Sequence, residues 1–253
     1  MIGKLSNDFS YQSASDLVRI GRNNDGGYLV SKSDIEKSDV LIGLGINDDW
    51  SFERGFKKIN NVEVFAYDAS ISQKHFINQF IKSLSRINKP LLAINRIKTI
   101  FSYRHFFLKL NNHHVQKFVG LDTADKNHCT FVEILDDVMS DNIFLKIDIE
   151  GSEYRFLNDI VANEERINGM VIELHDCDIH LKEIQNFIKK FSLKLVHIHA
   201  NNCAPIRASD GLPIVLELSF SRNCEKFCMP SLPHKLDMPN SKSDVEIQLI
   251  IDS

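Results

Sequence analysis

The chain has 253 residues, is 43% hydrophobic and 25% charged, and so is neither disordered, collagenous nor coiled coil. Its formal charge of −4 disfavours a dedicated nucleic-acid-binding protein, and no nucleic-acid partner is predicted. The five cysteines include no pair separated by two residues, which indicates reduced thiols and a cytoplasmic protein. No apolar run is long enough for a membrane span, and the first residues lack a signal-peptide core.

Seven short apolar runs predict strands that are buried on both faces, as in a parallel α/β sheet. In chain order they are 40–46, 62–67, 116–121, 143–149, 170–174, 194–199 and 214–220. Helical spacing of apolar residues follows two of them, over 153–161 and 181–191. This alternation of strands and helices predicts a doubly wound α/β fold.

The last connection, 200–213, is rich in turn formers and carries no helical pattern. A strand that follows without a crossover helix should pair antiparallel. Six parallel strands and one antiparallel strand, with helices on both faces, form the Rossmann-like architecture of class I methyltransferases, which we predict here. One domain, 1–253, would carry two elaborations: an insertion at 71–115 and a tail at 223–253 that ends in an edge strand at 245–251.

The first strand runs into a turn that contains Gly43 and Gly45, and glycines at a strand end let a ligand approach the main chain. A full dinucleotide fingerprint would have a third glycine where Asp48 stands, and acids at a helix start repel a pyrophosphate. A donor that carries sulfonium and ammonium groups tolerates acids better. The turn therefore favours S-adenosylmethionine over NAD, although two glycines can also mark a plain turn.

Two other segments supply candidate donor contacts. The second strand ends at Asp68, where an acid can accept hydrogen bonds from ribose hydroxyls or can cap a helix. Upstream, Asp25-Gly26-Gly27 is a hairpin signal, and Arg19 and Asp25 alternatively bracket the turn as groups that hold the amino-acid end of a donor. The predicted donor-binding residues are Asp25, Gly26, Gly43, Gly45, Glu53, Asp68, Ala69 and Asp122.

The segment from Lys146, Lys-Ile-Asp-Ile-Glu-Gly, resembles the signature of FkbM-type methyltransferases. The segments Arg-x-Gly-(x)3-Asp-Gly-Gly-Tyr from Arg19, Gly-x-Gly-(x)4-Trp-Ser-Phe-Glu from Gly43, and 232–240 are similar to a subgroup of that family. The resemblance touches most of the chain but does not explain the insertion at 71–115. It implies a class I fold, S-adenosylmethionine as donor, and O-methylation, often of a sugar hydroxyl in polysaccharide or glycoside biosynthesis.

The residues themselves predict a polar cluster at one rim of the sheet. Period-2 alternation places Asp148 and Glu150 on one side of a strand, at its carboxyl end, and two later strands end at His175 and His199. Ligands of open α/β sheets bind outside that end. We therefore predict that these four residues are catalytic. A histidine of ordinary pKa suits removal of a hydroxyl proton, with His175 as the first choice and His199 as the second.

A metal-assisted route is the alternative to a histidine base. Asp148, Glu150 and His175 could hold Mg²⁺ or another divalent ion that binds two sugar oxygens and acidifies one. The predicted substrate is a nucleotide-activated sugar or a glycan, and a homo-oligomer is left open. The alternative functions are an NAD-dependent oxidoreductase and a non-catalytic Rossmann-like binding module.

The insertion at 71–115 is basic and aromatic. Its cations could hold the phosphates of a nucleotide-activated sugar while an aromatic side chain stacks on the base. Alternatively it is an amphipathic helix pair with packed aromatic side chains and solvated cations, which we favour. The residues concerned are Lys82, Arg86, Lys89, Arg96, Lys98, Arg104 and Lys109, with Phe101, Tyr103, Phe106 and Phe107.

Overall fold

The computed structural model describes residues 1–85, 90–120, 125–224 and 231–252. Its strands are β1 (Ile2–Leu5), β2 (Leu17–Gly21), β3 (Gly27–Ser31), β4 (Val40–Leu44), β5 (Glu63–Tyr67), β6 (Asn112–Val115), β7 (Phe118–Val119), β8 (His128–Cys129), β9 (Ile143–Ile147), β10 (Ile167–Leu174), β11 (Lys194–Ala200), β12 (Leu216–Ser221) and β13 (Gln248–Ile251). Its α-helices are α1 (Lys32–Lys37), α2 (Ser51–Ile59), α3 (Gln73–Leu84), α4 (Pro90–Phe107), α5 (Phe131–Asp137), α6 (Leu157–Ala162) and α7 (Cys177–Lys190).

A seven-stranded sheet organises the fold, in the order β11-β12-β10-β9-β4-β5-β6. β12 pairs antiparallel with both of its neighbours, and all other pairings in this sheet are parallel. The prediction of six parallel strands and one antiparallel strand is confirmed, and with it the Rossmann-like class I architecture. Because parallel strands share a direction, β4, β5, β9 and β10 end at one edge of the sheet.

Successive side chains of the central strands enter two different cores, as the period of a strand requires. Ile42 and Leu145 pack in a core that includes α5, α6 and α7. Leu41 and Phe144, their neighbours in sequence, pack in a second core with the β2–β3 hairpin, α1 and α2. Each apolar side chain buried in this way contributes about 1.5–3 kcal/mol, so helices on both faces hold the sheet.

The third parallel strand differs from the prediction, because Asn112–Val115 replaces 116–121. Phe118–Val119 pairs instead with His128–Cys129 in a separate two-stranded sheet. β6 lies at the sheet edge, where a polar sequence is tolerated. The side chain of Asn112 donates to the Phe106 carbonyl and accepts from Lys57. A polar edge strand has no apolar run, which explains why the pattern did not reveal it.

Most of the insertion forms two helices that contact each other, α3 and α4, as the favoured interpretation predicts, and its last residues form β6. Its base is anchored by aromatic packing on Trp50, whose ring centroid lies 6.1 Å from that of Phe76 and 5.7 Å from that of Tyr103. Tyr103 and Phe106 are buried, whereas Phe101 is exposed. The aromatic side chains are therefore divided between the core and the surface.

The tail returns to the start of the chain. β13 pairs in parallel with β1 in a two-stranded sheet of its own, so the predicted strand at 245–251 is present but does not extend the main sheet. Cys129, Cys177, Cys203 and Cys224 carry free thiols. None of the helices in the described ranges has the length and apolarity that crossing a bilayer requires.

Candidate active site

A cavity of about 660 Å³ opens at the carboxyl edge of the sheet, where ligands of open α/β sheets bind. Its walls come from the segments after β4, β5, β6 and β9, from the β2–β3 hairpin, and from residues within β8, β9 and β10. Residues that line it are Arg22, Asp25, Gly26, Gly45, Ile46, Asn47, Asp48, Asp49, Phe52, Tyr67, Asp68, Ser70, Lys117, Phe118, Val119, His128, Lys146, Asp148, Ile149, Glu150, Ser152, Arg155 and Glu173. The volume lies within the range of small-molecule and cofactor sites.

Gly45 forms the floor of the turn after β4. Its φ is +78°, and a Cβ atom there would lie 1.7 Å from the backbone oxygen of Asp148. Only glycine fits here, where the chain just after β4 comes this close to the chain just after its parallel neighbour β9. The glycine that the sequence assigned to ligand approach is therefore also required for the two strand ends to meet.

Within the described ranges, three residues other than glycine adopt left-handed backbone conformations: Asn47, Glu150 and Asp176, with φ between 42° and 54°. They follow the ends of β4, β9 and β10, so all three lie at the carboxyl edge of the sheet. Such conformations are uncommon outside glycine and persist where the surroundings enforce them, often at functional sites. The turn at Glu150 ends the strand alternation that we expected to continue through it.

A pair of carboxyl groups lines the cavity: Glu173 is buried, and the Asp148 side chain is partly exposed. The Tyr28 hydroxyl is 3.0 Å from Asp148 Oδ2 and 2.9 Å from Glu173 Oε2. One hydroxyl hydrogen serves only one of these oxygens, so both contacts are hydrogen bonds only when one carboxyl group is protonated. Burial, with the negative charges of Asp148 and Glu217, raises the pKa of Glu173 to about 8. Asn201 also donates to Glu173, at 2.9 Å.

Lys146 is the buried cation of this cluster. Its Nζ donates to the Gly45 carbonyl and lies 3.6 Å from Asp148 Oδ2. Burial alone would lower the pKa of Lys146, but Asp148, Glu53 and other acids outweigh it and raise that pKa. The lysine therefore stays charged and holds the turn after β4 against the end of β9.

His175 lies among three carboxylates. Its Nδ1 is 3.2 Å from Glu153 Oε1, and its Nε2 is 3.5 Å from Glu150 Oε2 and 3.8 Å from Glu173 Oε1. Burial alone would lower the pKa of His175, but the hydrogen bond and charge of Glu153 and the charge of Glu173 raise it above its ordinary value. The expectation of a histidine with ordinary pKa is wrong, because these acids favour the imidazolium.

His199 does not join the predicted rim cluster. β12 lies between β10 and β11, so the strands that carry His175 and His199 are not neighbours. The His199 side chain is buried, with Nδ1 3.0 Å from Glu217 Oε2 and Nε2 3.1 Å from Glu246 Oε1. Burial alone would lower the pKa of His199, but Glu217 and Glu246 raise it to about 10. This imidazolium ties the tail to the sheet.

The predicted donor residues divide into two groups. Asp25, Gly26, Gly45 and Asp68 line the cavity, whereas Gly43, Glu53 and Ala69 do not. Glu53 is fully buried, and a Cβ atom on Gly43 would lie 2.9 Å from its Oε1. Gly43 thus makes room for a buried acid, whose pKa burial raises to about 7. Asp122 lies outside the described residues.

Asp68 organises the cavity wall. Its Oδ2 accepts hydrogen bonds from the backbone N–H groups of Ile46 and Asn47, and its Oδ1 accepts from the N–H and hydroxyl of Ser70. Burial alone would raise the pKa of Asp68, but these hydrogen bonds lower it. A carboxylate has about four acceptor positions, so a ribose hydroxyl at Asp68 would have to replace the Ser70 hydroxyl.

The hairpin also differs from one sequence interpretation. β2 and β3 pair antiparallel, as the Asp-Gly-Gly signal predicts. Arg19 does not line the cavity and donates to the backbone oxygens of Arg22 and Asn24. It therefore braces the turn, while the Arg22 side chain lies 2.8 Å from Asp49 and links the hairpin to the start of α2.

A candidate metal group differs from the predicted one by one residue. Ligand atoms of Asp148, Glu173 and His175 lie within 4.8 Å of one another. Glu150, the third predicted ligand, has a side chain that is 83% exposed and is not part of the group. Two carboxylates and an imidazole suit several divalent ions.

Sequence reasoning did not assign Tyr28 or Glu173 to the site. Tyr28 ends the Asp-Gly-Gly-Tyr segment, and Glu173 precedes His175 by two positions on the same strand. Strand alternation could have added Glu173. No local signal joins Tyr28 to it, because the contact spans 145 positions.

No protein-family model and no curated protein matches the chain. Solved structures similar to it include a precorrin-6Y C5,15-methyltransferase from Geobacter metallireducens, at 13% identity and TM-score 0.40, covering 87% of this chain and 97% of that one. Methanococcus jannaschii fibrillarin, a pre-rRNA processing protein, matches at 10% identity and TM-score 0.38, covering 76% and 70%. Precorrin 8W decarboxylase from Methanobacterium thermoautotrophicum matches at 12% identity and TM-score 0.37, covering 73% and 82%.

Proposed function

We propose that the protein is an S-adenosylmethionine-dependent O-methyltransferase. The observation that carries this proposal is the cavity between the glycine turn after β4 and two acids, Asp148 after β9 and Glu173 near the end of β10, in a sheet of class I order. Such a sheet binds ligands at this edge. Asp48 and Asp49, just before α2, disfavour a pyrophosphate at that helix start, and together with Asp25 of the hairpin they suit cationic groups of a donor.

The donor's parts match different walls of the cavity. Bound S-adenosylmethionine supplies a methyl group on a cationic sulfur. Phe118, Val119 and Ile149 offer an apolar surface for an adenine. Asp68 and Ser70 suit ribose hydroxyls, and Asp25 suits an ammonium group. The fit therefore rests on apolar, hydroxyl-binding and anionic positions that occur in one cavity.

We assign the proton of the acceptor hydroxyl to the carboxyl pair Asp148–Glu173. As the hydroxyl oxygen bonds to the methyl carbon and the carbon–sulfur bond breaks, a carboxylate oxygen takes the proton. Glu173 is the base in this assignment because burial and neighbouring acids raise its pKa. His175, held as an imidazolium by Glu153, is then a positioning residue for Glu173 and Glu150. Positioning supplies much of the acceleration in such a displacement.

The acceptor in this proposal is a carbohydrate, as in the FkbM-type enzymes that the sequence resembles. Asp148 and Glu150 of the signature segment line the cavity. Arg155 and Lys117 also line it, and their charges suit the phosphates of a nucleotide-activated sugar. These cations favour the cavity itself over the insertion as the phosphate-binding surface.

The test is incubation with S-adenosylmethionine and a panel of sugar nucleotides, followed by mass spectrometry. The proposal expects a product heavier by one methylene. Hydride transfer with NAD would instead show that the protein is an oxidoreductase. Binding of S-adenosylmethionine without turnover on any sugar would favour a non-catalytic binding module. A chelator arm tests the alternative in which Asp148, Glu173 and His175 hold a divalent ion, because activity would then be lost and restored by Mg²⁺.

A further inference from the structure

The helix pair α3–α4 carries an unusually apolar outer surface. We define the apolar face as Ile77, Ile81 and Leu84 of α3 with Leu91, Ile94 and Phe101 of α4, all of them exposed. Ile81 is 57%, Leu91 71% and Phe101 67% exposed. Within each helix the spacings of three, four and seven residues place these side chains on one side. Contiguous exposed apolar patches mark binding surfaces.

The charge of the same segment is one-sided. Residues 71–115 contain eight of the chain's 30 Lys and Arg residues and none of its 34 Asp and Glu residues. Lys82 and Lys98 are exposed within the helices that carry the apolar face. An apolar helix surface surrounded by cations is the composition of helices that lie in the interface of an anionic membrane.

A basic cavity of about 430 Å³ continues this surface along α4. Arg54, Lys57, Lys58 and Lys109 line it, and none of its described lining residues is acidic. Leu108 and Leu110, on either side of Lys109, are 72% and 92% exposed. Cations beside protruding leucines suit a phosphate-bearing headgroup next to acyl chains.

We propose that the α3–α4 helix pair docks on the surface of an anionic lipid bilayer. A second copy of the chain meeting this face symmetrically would bring cations against cations, with no acid in 71–115 to pair them. Nucleic acid would use the cations but would leave Ile81, Leu84 and Leu91 without a partner. On the side of α4 that faces away from the apolar face, Arg96 lies 3.3 Å from Asp48 at the cavity rim.

The test is co-sedimentation of the full chain with vesicles of phosphatidylcholine alone or mixed with phosphatidylglycerol. We expect the chain to bind the mixed vesicles, and to bind vesicles of phosphatidylcholine alone at least about tenfold more weakly. The double variant Ile81→Gln/Leu91→Gln should weaken binding by at least about tenfold, because it removes apolar side chains from the interface. Ile179→Gln, at a residue of α7 that is 75% exposed, should leave binding unchanged.

Circular dichroism checks that each variant is folded. We expect all of them to fold, because the substituted residues are exposed. Absence of wild-type binding to mixed vesicles would overturn the proposal, as would equal binding by the double variant. Sedimentation velocity and an oligonucleotide titration decide the rivals. A dimer that Ile81→Gln/Leu91→Gln dissociates, without vesicle binding, assigns the face to a second copy, and nucleic-acid binding without vesicle binding assigns it to nucleic acid.

Discussion

The hydroxyl of Tyr28 lies 2.9 Å from the buried carboxyl group of Glu173. This contact joins the β2–β3 hairpin to the end of β10 and leaves Glu173 facing the proposed donor cavity. The same hydroxyl reaches Asp148, so one proton-sharing group connects three segments that are distant in sequence.

Glu173→Gln should lower turnover about a hundredfold while S-adenosylhomocysteine still binds. Because the active form of Glu173 is the carboxylate and its pKa is raised to about 8, wild-type turnover should rise as the pH increases through that value. The variant should lose this rise, and Tyr28→Phe should shift its midpoint. A pH profile of kcat/KM is the measurement; an unchanged profile in Glu173→Gln would remove Glu173 from the mechanism.

Gly45→Ala should abolish donor binding and destabilise the fold by more than about 1 kcal/mol, since the new Cβ atom meets the Asp148 carbonyl at φ +78°. Gly55→Ala is the matched control. Its Cβ atom would lie 3.0 Å from the Ile20 side chain and 3.4 Å from the Gly21 backbone nitrogen, and alanine is favoured inside α2. Thermal unfolding and calorimetry measure both effects. If Gly45→Ala bound S-adenosylhomocysteine normally, the donor site would not depend on the close approach of Gly45 to Asp148.

Asp68→Asn should weaken S-adenosylhomocysteine binding by about tenfold or more, because an amide nitrogen cannot accept from the N–H groups of Ile46 and Asn47. Ser70→Ala should retain or improve affinity, since it frees an acceptor position on Asp68. Calorimetric titration distinguishes the two. Equal affinities in the wild type and Asp68→Asn would show that Asp68 supports neither the turn nor the ribose.

Glu246→Gln should destabilise the protein by about 1–3 kcal/mol near pH 6, because the His199 imidazolium loses a charged acceptor. His199 has a folded pKa raised to about 10, so its stabilisation is present below about pH 6.5 and is lost as the pH rises toward 10. Urea unfolding across that range measures the slope. His199→Gln should remove this part of the slope, and an unaltered slope would show that His199 does not stabilise the tail through its charge.

The main sheet was predictable because buried strands carry apolar runs, as in Val40–Leu44 and Ile143–Ile147. β6 was not, because its Asn-His-His-Val sequence lies at an edge and needs no apolar run. The β2–β3 hairpin could be predicted from the Asp-Gly-Gly signal at Asp25 because residues adjacent in sequence form its turn.

The candidate site was predictable only in part. Asp148 and Glu150 directly follow β9, so the sequence next to that strand was enough to predict their position at the rim. The place of His199 depended on the spatial order of β10, β12 and β11, which strand patterns do not determine. The raised pKa of His175 depended on Glu153, whose buried side chain turns back onto it. Contacts between distant segments therefore decided the roles that the sequence left open.

Calorimetric titration of the wild-type chain with S-adenosylhomocysteine, and separately with NAD, tests the donor assignment most directly. We predict saturable binding of S-adenosylhomocysteine, lost in Gly45→Ala, and no binding of NAD. Saturable binding of NAD without binding of S-adenosylhomocysteine would contradict the donor assignment. Binding of neither molecule would contradict it as well.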